Sequence, residues 1–169
     1  MQPLKYLVGY SEETLTRVRQ LIDQDRLASL LREKYPLSHA VRTDRALYDY
    51  TMALKQRFMR SAEPVAKVAF DDRLRVLQQA LGTHTTVSRV QGGRLKAKRE
   101  IRVASLFKDA APEFLKMIVV HELAHLKVRG HDKAFYQLCA HMEPDYHQYE
   151  FDLRLHLTQR EIEGRPLER

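Results

Sequence analysis

The stretch from Pro112 to His131, PEFLKMIVVHELAHLKVRGH, constrains this chain more than any other part of it. It opens as a helix: Ala111-Pro112-Glu113 puts proline in the first turn, where a missing N–H costs little, and a carboxylate near the positive end of the helix dipole. Phe114, Ile118, His121 and His125 then recur at helical spacing, and Met117-Ile118-Val119-Val120 makes the turn before His121 wholly apolar. Residues four apart on a helix project from nearly the same face, so His121 and His125 can offer two imidazole nitrogens to one ion about 2 Å away. Leu123 and Ala124 point elsewhere, and their apolar character suits packing against a sheet and keeping the site partly dry.

Two ligands bind a metal weakly, so a third has to come from a later turn. His131 is well placed, because Gly130 permits the chain to release the helix and bend back. Glu150 is the alternative, since a carboxylate serves in some zinc sites, and the histidine spacing favours His131. Three protein ligands leave a fourth position for water, the arrangement of a catalytic site rather than a structural one. Glu122, beside the first ligand, can reach that water. Zinc lowers the pKa of bound water toward ~7, and a nearby carboxylate can then take its proton and pass it to a leaving group. The expected cofactor is Zn2+, with another divalent ion as the substitute.

The 169 residues are about one ordinary domain, expected to span 1–169, with a helical segment at about 11–60 and the site-bearing core at about 64–160. One cysteine, Cys139, excludes an intrachain disulfide and places the chain in a reducing cytoplasm; it reads as a core residue. The run Met1–Leu7 lacks the apolar stretch of a signal peptide, and the patch before His121 is far short of a membrane span, so neither targeting nor a membrane role is expected. A formal charge of +7 would steer phosphates, nucleic acid or acidic surfaces, although many enzymes carry such an excess on a solvated face.

The rest of the chain reads as scaffold around that core. Leu15, Val18, Leu21, Ile22, Leu27, Leu30 and Leu31 fit one buried face of an amphipathic helix from Ser11 to Arg32, ended by Tyr35-Pro36. A second helix, capped by Thr43 or Asp44, carries Leu47, Leu54 and Phe58 and finishes before Pro64. Thr85–Val90 and Ile101–Leu106 change to a strand period around Gly92-Gly93, which predicts an antiparallel hairpin. Arg89, Arg94, Lys96, Lys98 and Arg99 make that hairpin basic, as a binding surface or as a charged edge protected from aggregation. Asp132 caps a helix through Phe135 and Leu138, and Pro144 opens a last one through Tyr149, Leu153 and Leu157. His141, His147 and His156 are too scattered to define a second site. Tyr136, Tyr146 and Tyr149 are the candidates for donating a hydrogen bond to an oxyanion.

The segments Val119–Leu126 (VVHELAHL), Gly130–Tyr136 (GHDKAFY) and Met142–Tyr146 (MEPDY) resemble the YgjP-like metallopeptidases, relatives of the WLM and SprT-like zincins. The likeness runs in order through nearly the whole chain. It implies an α+β, zincin-like fold: N-terminal helices, a small antiparallel sheet or hairpin, and the HExxH helix followed by C-terminal helices. It also implies His121, His125 and His131 as zinc ligands and Glu122 as general base. Many members of the wider family carry an Arg-Trp-Gly-Ser-Cys-like stretch on the strand before the site. Here Leu81-Gly82-Thr83-His84-Thr85 stands instead and the chain has no tryptophan, so substrate contacts from that strand do not carry over. The resemblance implies a peptide substrate or a nucleotide one, since YgjP-like proteins have also been assigned hydrolysis of UTP to UMP and pyrophosphate. The basic hairpin would supply phosphate contacts for the second. A nucleic-acid-associated protein with a structural metal is the reading from a different class. The charge fits it, but no zinc knuckle, RNA-binding aromatic motif or recognition helix supports it.

Overall fold

A computed structural model describes residues 4–74, 83–91 and 94–164, with the side chains of 83–91 and 94–98 excepted. The expected turn at Gly92-Gly93, the Leu81-Gly82 segment and the tail beyond Gly164 lie outside the described residues. In chain order the elements are α1 (Glu12–Asp23), α2 (Leu27–Lys34), α3 (Asp44–Phe58), β1 (Val65–Asp71), β2 (Thr83–Gln91), β3 (Arg94–Ala104), α4 (Pro112–Ala124), α5 (Lys133–Met142) and α6 (Tyr146–Ile162). Short 3-10 turns occupy Lys5–Leu7 and Ser105–Asp109.

The single N-terminal helix expected from Ser11 to Arg32 is two helices. Ser11 caps the first by accepting from Thr14 N–H at 3.2 Å, and the chain breaks at Asp25, which takes φ 53. Aspartate tolerates this left-handed conformation better than most residues, so the break needs no glycine. The redirected α2 buries Leu27 and Leu31 in a small cluster with Leu7, Val18 and Leu155. An apolar stripe alone does not reveal such a break, because both halves keep their helical spacing. The second helix starts as expected, with Thr43 accepting from Ala46 N–H at 3.1 Å.

The sheet is mixed rather than purely antiparallel, in the order β1-β3-β2. β2 and β3 form the expected antiparallel hairpin, in register from Thr83↔Arg102 to Gln91↔Arg94. The sequence reading assigned no element to 65–71, yet β1 lies there and pairs with β3 in parallel, Val68 against Ile101 and Phe70 against Val103. Asp44 Oδ1 accepts the Phe70 N–H at 2.9 Å and so pins the start of α3 to this strand. The inner face of the sheet contributes Val68, Ile101 and Val103 to the main core.

That core is built around α4. From Leu115 to Ala124 its side chains are buried except at Lys116, whose Nζ lies 2.5 Å from Glu143 Oε2 at the end of α5. A helix apolar on all sides packs only where neighbours cover every face, and the sheet, α3, α5 and α6 all touch it. Ala111 and Pro112 open it as anticipated. Its far end departs from expectation: α4 stops at Ala124 rather than running to Gly130, and His125 is the C-cap. Val128 N–H reaches back to the Ala124 carbonyl at 3.0 Å, so the chain turns through 125–128; Gly130 does not adopt a positive φ. Among the described residues, no helix is long and apolar enough to cross a membrane.

Candidate metal centre

Three side chains meet where α4 ends. His121 comes from its last turn, His125 from its C-cap, and His131 from the loop that leads into α5. Asp132 accepts from Phe135 N–H at 2.9 Å, and this cap starts α5 directly after His131. The Phe135 ring then supports all three imidazoles, with centroids 4.9 Å from His121, 4.5 Å from His125 and 4.9 Å from His131.

The Nε2 atoms form a triangle with sides of 3.2 Å (His121 to His125), 3.1 Å (His125 to His131) and 3.3 Å (His131 to His121). A ring nitrogen either carries a proton and donates or lacks one and accepts, so hydrogen bonds cannot close a ring of three. In a tetrahedral set, ligand nitrogens about 2.1 Å from an ion lie about 3.4 Å from one another. The triangle therefore has the size of one face of such a tetrahedron, and the three residues fit a metal ion. Among the described residues, no other group of histidine, cysteine, aspartate or glutamate side chains gathers in this way.

The outer nitrogens show why the lone pairs converge. A carbonyl can only accept, so His125 Nδ1–H must donate to Val128 O at 2.9 Å, which leaves Nε2 bare. His121 Nδ1 is 2.8 Å from the hydroxyl of Tyr146, a residue buried at the start of α6. Burial, reinforced by the neighbouring histidines and Arg154, pushes the His121 pKa down to about 2; burial also lowers that of His125. Both rings are thus held neutral, the form that ligates. Glu122 is wholly buried next to His121 in the chain, and burial raises its carboxyl to about 8.

The other sequence-stated candidates separate. Arg89, Arg94, Lys96 and Lys98 are placed in the hairpin ladder, where Arg89 stands opposite Lys96, but their side chains are outside the described residues. Arg99 Nε lies 2.6 Å from Glu63 Oε2. Glu150, the alternative third ligand, accepts instead from Arg154 at 3.1 Å. Tyr149 packs edge-on against Tyr35, and Tyr146 is committed to His121. His141 lies edge-on to Phe58, and His156 packs on Phe114. Cys139 is buried in the core as read. Sequence reasoning missed Phe135, Tyr146 as an imidazole partner and the Val128 carbonyl. Only Phe135 carried a local signal, because it sits in the first turn after the Asp132 cap.

Comparison with known proteins agrees with the chemistry of these residues. The chain is 59% identical over 159 residues to a UTP pyrophosphatase of Escherichia coli (strain K12), covering 94% of this chain and 95% of that one. No solved structure matches. Both descriptions that the chain matches are of hydrolases. Residues 40–156, a span that holds the sheet, the three histidines and most of α6, match the family described as YgjP-like, metallopeptidase domain, and the chain is a hydrolase belonging to that family.

Proposed function

We propose that this protein is a zinc-dependent hydrolase in which His121, His125 and His131 hold the ion and Glu122 is the general base, and that its substrate is a nucleoside triphosphate. The observation that carries the metal is the triangle of bare nitrogens, with no side within it longer than 3.3 Å. Imidazole donors in that number suit zinc better than magnesium. When bound, zinc would supply Lewis acidity, making water a better nucleophile and drawing charge from an oxygen carried by the atom under attack.

The chain's own residues supply the rest. Glu122 takes the proton of the attacking water on its carboxylate and gives it to the departing oxygen. Burial that raises its proton affinity makes it a stronger base than an exposed glutamate. For UTP the bond formed is from water oxygen to the α-phosphorus and the bond broken joins that phosphorus to the bridging oxygen, giving UMP and pyrophosphate.

Two observations favour a nucleotide over a peptide: the relative's name and the charge at the site's mouth. Lys127, Arg129 and Lys133 flank the ligands His125 and His131, all three are exposed, and none pairs with a carboxylate of the described residues. Asp132, the acid among them, spends its carboxylate on the α5 cap. Several uncancelled cations beside a metal dication favour a polyanion as the incoming group. The family description supports the second reading, a peptidase, in which the same base serves at a carbonyl.

The test is to strip the protein of metal, reload it with zinc, and assay the four ribonucleoside triphosphates alongside a peptide library. UTP should give UMP and pyrophosphate only in the reloaded sample, and Lys127→Glu with Arg129→Glu should raise KM by at least ~10-fold at low salt. Peptide cleavage without nucleotide turnover would replace this substrate class. Failure to bind one zinc per chain would remove the site itself.

A further inference from the structure

The stretch that supplies the exposed ligand also supplies a ring beneath all three. Asp132 follows His131, and its carboxylate accepts the N–H of Phe135 itself at 2.9 Å, which fixes the first turn of α5 and the place of the Phe135 side chain. That side chain is completely buried. Its ring is nearly parallel to His125, at 29°, and edge-on to His121 and His131, at 77° and 64°.

The ring separations settle where it stands. The three imidazole centroids are 4.8, 5.0 and 4.9 Å apart, and the Phe135 centroid is 4.9, 4.5 and 4.9 Å from them. Four points with six nearly equal separations form a near-regular tetrahedron. Phe135 therefore stands over the middle of the imidazole triangle rather than beside it, about 4 Å from its plane, an ordinary packing distance. The Nε2 atoms, 3.1 to 3.3 Å apart, lie inside that triangle and close to its plane, because nearly the whole step from ring centre to Nε2 is used in pointing inward.

A fourth ligand needs room on one face or the other. An ion held by these nitrogens at about 2.1 Å sits roughly 1 Å off their plane, and its next ligand about 2 Å further out, roughly 3 Å in all. On the Phe135 side that place falls within about 1 Å of the ring centre, where no atom can enter. We propose that Phe135 is a positioning residue that closes one face of the histidine triangle, so that water and substrate reach the metal only from the opposite face. The proposal rests on the reading that the three histidines bind an ion. With one face closed, the two reactants sit side by side, as attack of one on the other requires; with both faces open they could bind on opposite sides, out of reach.

The test has two arms. In the first, the zinc-loaded parent is crystallised with azide, a small anion that takes open metal positions. Azide and water should lie on the face turned away from Phe135, and either of them between zinc and the ring overturns the proposal. The second arm uses cobalt-substituted protein, whose visible absorption weakens when a four-coordinate site gains ligands. Phe135→Leu should keep the parent spectrum, because the branched side chain still fills the face. Phe135→Ala leaves space for water beside the ion, so it should weaken the absorption and lower zinc affinity by about 10-fold. A ring that served only the fold would cost Phe135→Ala stability yet leave the spectrum of its folded fraction unchanged, and that result also overturns the proposal. If Phe135→Ala does not fold, the azide position decides. A parent that takes up no metal removes the histidine reading and this proposal with it, whereas full uptake with azide on the Phe135 side removes the proposal alone.

Discussion

Two of the three histidines belong to the core and one belongs to the surface. His121 and His125 are 3% and 8% exposed, and each has its Nδ1 engaged, by the Tyr146 hydroxyl and the Val128 carbonyl. His131 is exposed, on a loop among Lys127, Arg129 and Lys133, and among the described residues its Nδ1 has no hydrogen-bond partner. The buried pair is preorganised by the same packing that makes α4 the centre of the fold, so its orientation costs nothing further at binding. His131 completes the triangle from the exposed side. Core and surface thus meet at one triangle of nitrogens.

The largest effect that could break this division is on metal binding. His125→Ala removes a ligand and strands the Val128 carbonyl, and it should lower zinc affinity by more than ~100-fold, beyond the loss of an outer partner. His131→Ala removes a ligand whose place water can take, so the loss should be smaller and the metal-free protein should melt at the parent temperature. Zinc content after desalting and a thermal scan check both. Equal losses in affinity and stability would mean that the exposed histidine is as deeply built in as the buried ones.

Next in size is the separation of binding from chemistry. Glu122→Gln should retain zinc and lose turnover by at least ~100-fold, because the amide keeps the volume of the buried side chain and lacks the base. Full activity of this variant in an assay that His125→Ala abolishes would transfer the proton to another group.

What the sequence made legible follows the same line. The paired histidines, the proline start of α4, the Asp132 cap and the hairpin all come from signals within a few residues of one another. The Tyr146 contact joins residues 25 apart in the chain, and the Val128 contact uses a backbone atom that residue identity does not mark. β1 was hidden for a different reason. Its register shifts between Val65 and Lys67, so exposed Ala66 and Lys67 and buried Val68 and Ala69 come in pairs and the alternation of a strand is lost. The early end of α4 was missed because Gly130 looked like the stop, whereas the turn is made by the carbonyls of Leu123 and Ala124 accepting from 126–128.

The smallest effect concerns the stability of the metal-free protein, where buried histidines and buried glutamate pull in opposite directions. Burial lowers the folded pKa of His121 from 6.5 to about 2, so below pH 6.5 the unfolded chain takes up a proton that the folded chain refuses, and stability falls as the solution is acidified. His125, shifted the same way, adds to this acid limb. Glu122 behaves in reverse: its folded pKa is raised from 4.5 to about 8, so its contribution is fully present below 4.5 and is lost as pH rises through 8. Between 4.5 and 6.5 the two effects oppose each other, and above 6.5 Glu122 acts without them. At about 1.4 kcal/mol per pH unit for one proton, the glutamate should cost roughly 2 kcal/mol between pH 6.5 and 8. Denaturant titrations across pH, with metal removed, isolate each part by difference from the parent. Glu122→Gln should flatten the alkaline limb, and His121→Gln should make the acid limb shallower by about one proton. An acid limb unchanged by His121→Gln would show that the buried ring does not carry it, and the distinction between core and exposed histidines would be lost.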